Sequence, residues 1–84
     1  MRFRLSSYSK NYITKQEKDI RNWIYKSLRE ATKKPPKGDI IPVKSQPGRY
    51  RLRVGDYRIL FTIEGDYMIV IAITPRGDAY KEKE

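Results

Sequence analysis

The stretch Gly48-Arg49-Tyr50-Arg51-Leu52-Arg53-Val54-Gly55-Asp56-Tyr57-Arg58-Ile59-Leu60-Phe61 sets Arg49, Arg51 and Arg53 in strict alternation with Tyr50, Leu52 and Val54. That pattern predicts a strand buried on one side. Gly55-Asp56 fits a two-residue hairpin loop with positive φ at Gly55, and Tyr57 to Ile63 then returns as a second strand. The loop fixes the register. Val54 falls opposite Tyr57, Arg53 opposite Arg58, Leu52 opposite Ile59, Arg51 opposite Leu60 and Arg49 opposite Thr62. Tyr50, Leu52, Val54, Tyr57, Ile59, Phe61 and Ile63 share one side. Arg49, Arg51, Arg53 and Arg58 share the other with Leu60 and Thr62. Ile69, Ile71 and Ile73 of the next strand are expected beside them.

Arg53 facing Arg58 costs a few tenths of a kcal/mol, roughly, as a like-charge cross-strand pair. No acidic residue of either strand offsets it on that side. A mixed cationic and apolar face suits a ligand. The alternative is a face whose charges only keep the protein soluble and its edges apart. Guanidinium forks match phosphate oxygens, and an aromatic ring stacks a base. Arg76 lies just past the third strand and is expected to converge with Arg58, and Tyr80 follows one short loop later. Together they describe a pocket for a phosphodiester and its neighbouring base, better suited to single-stranded RNA than to a closed duplex.

Composition narrows the chemistry. The chain of 84 residues has a formal net charge of +9, with no cysteine and no histidine. Such a charge speaks of partners: nucleic acid first, an acidic protein second, an anionic membrane surface a weak third. Without Cys or His, a disulfide framework is impossible, zinc is not expected, and the usual neutral-pH acid–base group is missing. The carboxylates Asp39, Asp56, Glu64, Asp66 and Asp78 lie scattered in or beside turns, so neither a paired-carboxylate hydrolase nor a divalent-metal cluster is expected. Chemistry falls to Arg, Lys, Tyr, Ser or Thr, with no cofactor. Met1-Arg2-Phe3-Arg4 does not resemble a signal peptide, and the apolar run Met68 to Ile73 is too short to span a bilayer. A soluble, cytoplasmic protein is expected.

The elements that must position these residues follow from spacing. Residues 2 to 6 alternate as a short strand. A first helix is expected over 9 to 14, with Tyr8, Tyr12 and Ile13 as its apolar contacts. Thr14 and Glu17 fit a capping box for a second helix. In that helix Ile20, Trp23, Ile24, Ser27, Leu28 and Ala31 share one face, with Trp23 expected as a core anchor and a base-stacking role as the alternative, and Pro35-Pro36 ends it. Ile40 to Val43 is extended, and Pro42 confines it to a sheet edge or a non-strand segment. Strands over 49 to 54, 57 to 63 and 67 to 74 close the chain, and 81 to 84 is a charge-balanced tail. The predicted class is α+β in the order β-α-α-β-β-β: one domain over 1 to 84, with two N-terminal helices on one face of a small, mainly antiparallel sheet. A chain this short buries only about 60% of its unfolded surface, so its core is small.

Three segments, Tyr50 to Ile59, Pro75-Arg76-Gly77-Asp78-Ala79-Tyr80-Lys81 and Pro35-Pro36-Lys37-Gly38-Asp39-Ile40, resemble the RelE/ParE superfamily of toxin–antitoxin toxins. The likeness covers nearly the whole chain and its element order. It implies a toxin neutralised by a cognate antitoxin. RelE-like members act at the ribosome and cut messenger RNA by attack of the 2′-hydroxyl on the adjacent phosphate, without a metal. ParE-like members share the fold and inhibit DNA gyrase. By resemblance, the two basic positions of the first meander strand are Arg49 and Arg51, the transition-state arginine is Arg58, the acid for the leaving oxygen is Arg76, and the base-stacking tyrosine is Tyr80. Arg51, Arg58, Arg76 and Tyr80 are thus the implied catalytic set, with Arg49, Arg53, Lys44 and Lys81 as RNA contacts. The family's paired lysines are arginines here, and guanidinium is a poor proton acceptor. Three functions follow: a ribosome-dependent RNA endonuclease, a ParE-like non-nuclease gyrase inhibitor, or a relative that binds RNA or an acidic protein without cutting.

Overall fold

Alternating and helical spacings become strands and helices in the computed structural model, which describes residues 1–75. In chain order the elements are β1 (Arg2–Leu5), α1 (Ser7–Thr14), α2 (Lys18–Ala31), β2 (Asp39–Pro42), β3 (Arg49–Val54), β4 (Tyr57–Glu64) and β5 (Tyr67–Pro75). They build a five-stranded sheet in the order β1-β5-β4-β3-β2. β1 runs parallel to β5 and the other neighbours are antiparallel. This is the expected α+β class with one strand added. The extended segment around Ile40 pairs with β3 as an edge strand, where the missing N–H of Pro42 is tolerated. Among the described residues no helix is long and apolar enough to cross a membrane.

The core lies between the helices and one sheet face. Ile13 of α1 and Ile24, Leu28 and Ala31 of α2 meet Leu52, Val54, Ile59, Phe61, Met68, Val70 and Ile73 of the strands. Each large aliphatic side chain so buried contributes roughly 1.5–3 kcal/mol.

Helix α1 starts earlier than its spacing predicts. Ser6 is the N-cap: its hydroxyl accepts the Ser9 amide at 3.0 Å and lies 2.8 Å from the Ile71 carbonyl, to which it donates. Tyr12 packs edge-on against Tyr57 at 6.4 Å, but Tyr8 is exposed and is not an apolar contact. The capping box at Thr14 does not form. Thr14 ends α1 and its hydroxyl donates to the Lys10 carbonyl at 2.8 Å, while Glu17 takes the N-cap place of α2 without a side-chain bond.

Trp23 is not a core anchor. It is 44% exposed at the rim of α2, edge-on to Tyr57 at 6.5 Å and over the β3–β4 turn. Its position on the helix aims it at the hairpin tip, past the end of the buried strand face. Gly55 sits beneath it with φ +58°, and a Cβ there would overlap the ring.

A β-bulge corrects one further expectation. The pairing of β4 with β5 steps from Leu60–Ala72 to Phe61–Val70, which leaves Ile71 without a direct partner. The alternation of β5 shifts there. Ile73 therefore turns to the helix side, opposite Ile59, and is buried, while Ala72 and Thr74 take places on the arginine side.

Candidate nucleic-acid interface

The hairpin register is the one the two-residue loop dictates: Arg49 pairs with Thr62, Arg51 with Leu60 and Arg53 with Arg58. Since Tyr50, Leu52, Ile59 and Phe61 point to or pack on the core, the arginines stand on the opposite face. Three cross-strand rows organise that face. Arg53, Arg58 and Thr74 form one, Arg51, Leu60 and Ala72 the next, and Arg49, Thr62 and Ile69 the third.

The four cations are not equivalent. Arg49 and Arg53 are exposed and Arg58 is half-buried. Arg51 is only 4% exposed. A cation that dry needs negative charge nearby. Asp39 of β2 supplies some of it: its carboxylate lies 3.9 Å from Arg51 Nη1 and 3.8 Å from Arg53 Nε. Both distances exceed a charge-assisted hydrogen bond, so the attraction is Coulombic and leaves the N–H groups geometrically uncommitted to this carboxylate. Asp39 itself is about half exposed, which weakens the pairing further.

At the hairpin tip Arg53, Gly55, Asp56 and Arg58 line an open polar pocket of about 190 Å³. Thr74, opposite Arg58, is 5% exposed, and its Oγ1 has no hydrogen-bond partner among the described residues. A buried hydroxyl left so costs roughly 1–3 kcal/mol. Lys44 is exposed in the turn between β2 and β3, next to the Arg49 end of the face. Arg76, Tyr80 and Lys81 lie outside the described residues.

Asp39, Asp56 and Thr74 were not among the site residues expected from sequence. Asp39 becomes a partner of the arginines only through the β2–β3 register, which is not a local property of its own turn. Thr74 reaches the row of Arg58 through the bulge. Asp56 had a signal in plain sight, being the second residue of the loop that joins the arginine strands.

The arrangement can bind and neutralise a dianionic or monoanionic oxygen cluster on a half-apolar surface. It offers no group of three acidic, Cys or His side chains for a metal among the described residues.

The sequence is similar to known proteins over almost its whole length. A family model described as the ParE toxin of type II toxin–antitoxin systems, parDE, matches residues 3–80. No curated protein matches the chain. Among solved structures, the RelB–RelE antitoxin–toxin complex from Methanococcus jannaschii holds a chain 25% identical to this one, with a TM-score of 0.72 over 90% of this chain and 93% of that one. The RelE–RelB complex of Pyrococcus horikoshii OT3 is similar at 20% identity and a TM-score of 0.75, covering 93% of this chain and 97% of that one. The isolated RelE toxin of E. coli is similar at 15% identity and a TM-score of 0.73, covering 93% and 86%. With a family match that runs from the first strand to Tyr80, and a sheet-and-helix arrangement that RelE structures share, the chain belongs to the ParE toxin family of type II toxin–antitoxin systems, within the RelE/ParE superfamily.

Proposed function

We propose that this toxin is a ribosome-dependent, metal-independent endoribonuclease that cuts messenger RNA and is held inactive by a cognate antitoxin. The observation that carries the reading is the gathering of Arg51, Arg53 and Arg58 on one half-apolar sheet face, with Arg51 nearly dry. In a low-dielectric setting, preorganised cations stabilise developing negative charge far more than they do in water.

In the proposed reaction the 2′-oxygen attacks phosphorus and the bond to the 5′-oxygen breaks, giving a 2′,3′-cyclic phosphate and a 5′-hydroxyl. Arg51 and Arg58 neutralise the phosphorane oxygens. The Thr74 hydroxyl bonds one of them. By resemblance, Arg76 acts as the acid that gives a proton to the leaving 5′-oxygen and regains one from water, and Tyr80 stacks the neighbouring base. Arginine cannot accept the 2′-hydroxyl proton. That proton passes either to Tyr80 in its phenolate form, which nearby arginines would favour, or to water once the phosphorane forms. A rate that is flat from about pH 6 to 9 removes Tyr80 as the base.

A net charge of +9 calls for an acidic or amphipathic antitoxin segment over the basic face. Solved relatives that are antitoxin–toxin complexes support such a partner. Binding should weaken with salt.

The family description favours a second reading, a ParE-like inhibitor of DNA gyrase. Induced expression separates the two. Growth arrest with messenger RNA cut inside codons, abolished by Arg58→Ala and Arg76→Ala, supports the nuclease. Arrest with DNA-damage signalling and intact messages supports the gyrase inhibitor.

A further inference from the structure

The arginine face continues past β4 to the far edge of the sheet. Arg49 pairs with Thr62, Thr62 with Ile69 and Ile69 with Arg4, so one row crosses from β3 to β1. The adjacent row runs Glu64, Tyr67, Arg2. Phe3 and Leu5, which alternate with these arginines, pack against the core. Arg2, Arg4 and Tyr67 therefore stand on the same side as Arg49.

Their local arrangement is that of a surface prepared for a ligand. The Arg4 guanidinium carbon lies 4.5 Å from the centre of the Tyr67 ring. A guanidinium held over a ring is restrained by it and keeps its outer side open to a ligand. Hydrogen bonds from the Arg4 and Arg2 guanidiniums to the Tyr67 hydroxyl, and then their charge, pull its pKa below the ordinary tyrosine value. Among the described residues, neither arginine has an ion pair with a carboxylate. The nearby Asp66 carboxylate lies instead 3.8 Å from the N-terminal amine. Arg4 is three strand spacings from Arg49, about 14 Å. The residues between them, Thr62 and Ile69, carry no charge.

We propose that Arg2, Arg4 and Tyr67 form a second binding point for the RNA strand cut at Arg58, gripping its backbone phosphate at the far edge of the sheet with an unpaired base stacked on the Arg4 plane. The inference rests on the RNA reading above. The occupant is a phosphodiester chain because the site is cationic, flat and aromatic, and because it lies in register with the basic face. An acidic helix would be met by one charged edge only. An extended strand can follow the whole row.

The test is fluorescence anisotropy of the full chain with two labelled single-stranded RNAs, a trinucleotide and a dodecamer. For the dodecamer, the double variant Arg2→Gln/Arg4→Gln should bind about tenfold more weakly than the unaltered chain. The slope of log affinity against log salt should become shallower by about 0.7 for each phosphate no longer neutralised. Trinucleotide affinity should not change, and circular dichroism should show the fold intact. Arg4→Lys keeps the charge and removes the flat stack, so it should fall between. Equal losses of affinity for both lengths would overturn the second binding point in favour of a general charge effect. Unchanged dodecamer binding with weaker ribosome binding would overturn it in favour of a ribosomal RNA surface. If the unaltered chain bound neither RNA, the second binding point would fall, whereas the nuclease reading falls only if messages on programmed ribosomes stay uncut, so the two failures are distinguishable.

Discussion

On the helix side of the sheet, Leu52, Ile59, Phe61, Val70 and Ile73 meet Ile24 and Leu28 and exclude water. One residue along on the same strands, Arg51, Arg53, Arg58 and Thr74 face the other way. The first face is organised by volume: any apolar set that fills the space would hold it. The second carries a like-charge pair, a nearly dry guanidinium and a hydroxyl without a partner among the described residues, groups whose crowding or burial costs free energy. Costly polar groups gathered at one place are what the proposed phosphate cradle would use. Arg58 and Ile59, adjacent in sequence, belong to different problems.

Substituting across that divide should separate activity from stability. Arg58→Ala should slow cleavage on programmed ribosomes by about 100-fold or more, with circular dichroism showing the fold intact. A cleavage rate equal to that of the unaltered chain removes Arg58 from the reaction. Ile59→Ala should do the reverse, costing about 2–5 kcal/mol in denaturant unfolding through a buried cavity, with activity per folded molecule retained. If Ile59→Ala left stability intact, the burial account of the helix side would be wrong.

A smaller effect is expected at the hairpin tip that joins the faces. Gly55→Ala forces a side chain into the Trp23 ring at a positive φ, and should destabilise by about 1–3 kcal/mol. Combining it with Trp23→Ala should recover the steric part and leave the backbone part. Asp39→Asn should change stability by less than about 1 kcal/mol, since the carboxylate is half exposed and its ion-pair distances are long. It should tighten RNA binding modestly by removing a negative charge from the basic face. A large destabilisation would mean that Asp39 holds Arg51 more firmly than its distances indicate. The faintest effect is spectroscopic: with labelled tyrosine rings followed by NMR, Tyr67 should titrate below the ordinary tyrosine range, and Arg4→Gln should move it back up. No movement would mean that Arg4 does not act on that hydroxyl.

How much of this was legible in the sequence follows the range of the interactions involved. The arginine register was legible because a two-residue loop fixes it locally, and all the expected β3–β4 pairs are present. The heart of helix α2 was legible because Ile24, Leu28 and Ala31 repeat at helical spacing. The bulge was not, since the Ser6 hydroxyl and amide that take up the carbonyls of Ile71 and Val70 come from more than sixty residues away. Trp23 misled because large aromatics usually bury, whereas here the helix overhangs a turn and the ring covers glycine. Asp39 was hidden because only a pairing across the sheet brings a turn carboxylate to two strand arginines. The roles of Arg76 and Tyr80 rest on family resemblance, not on packing.

The central claim is that the arginine face is a cradle for the phosphate that reacts. Its most direct test is end-mapping of messenger RNA on programmed ribosomes after adding the purified toxin, with chemical identification of the new 3′ ends. The account predicts cuts inside codons that leave 2′,3′-cyclic phosphates and disappear with Arg58→Ala. Intact messages, alongside stalled gyrase complexes on DNA, would contradict it.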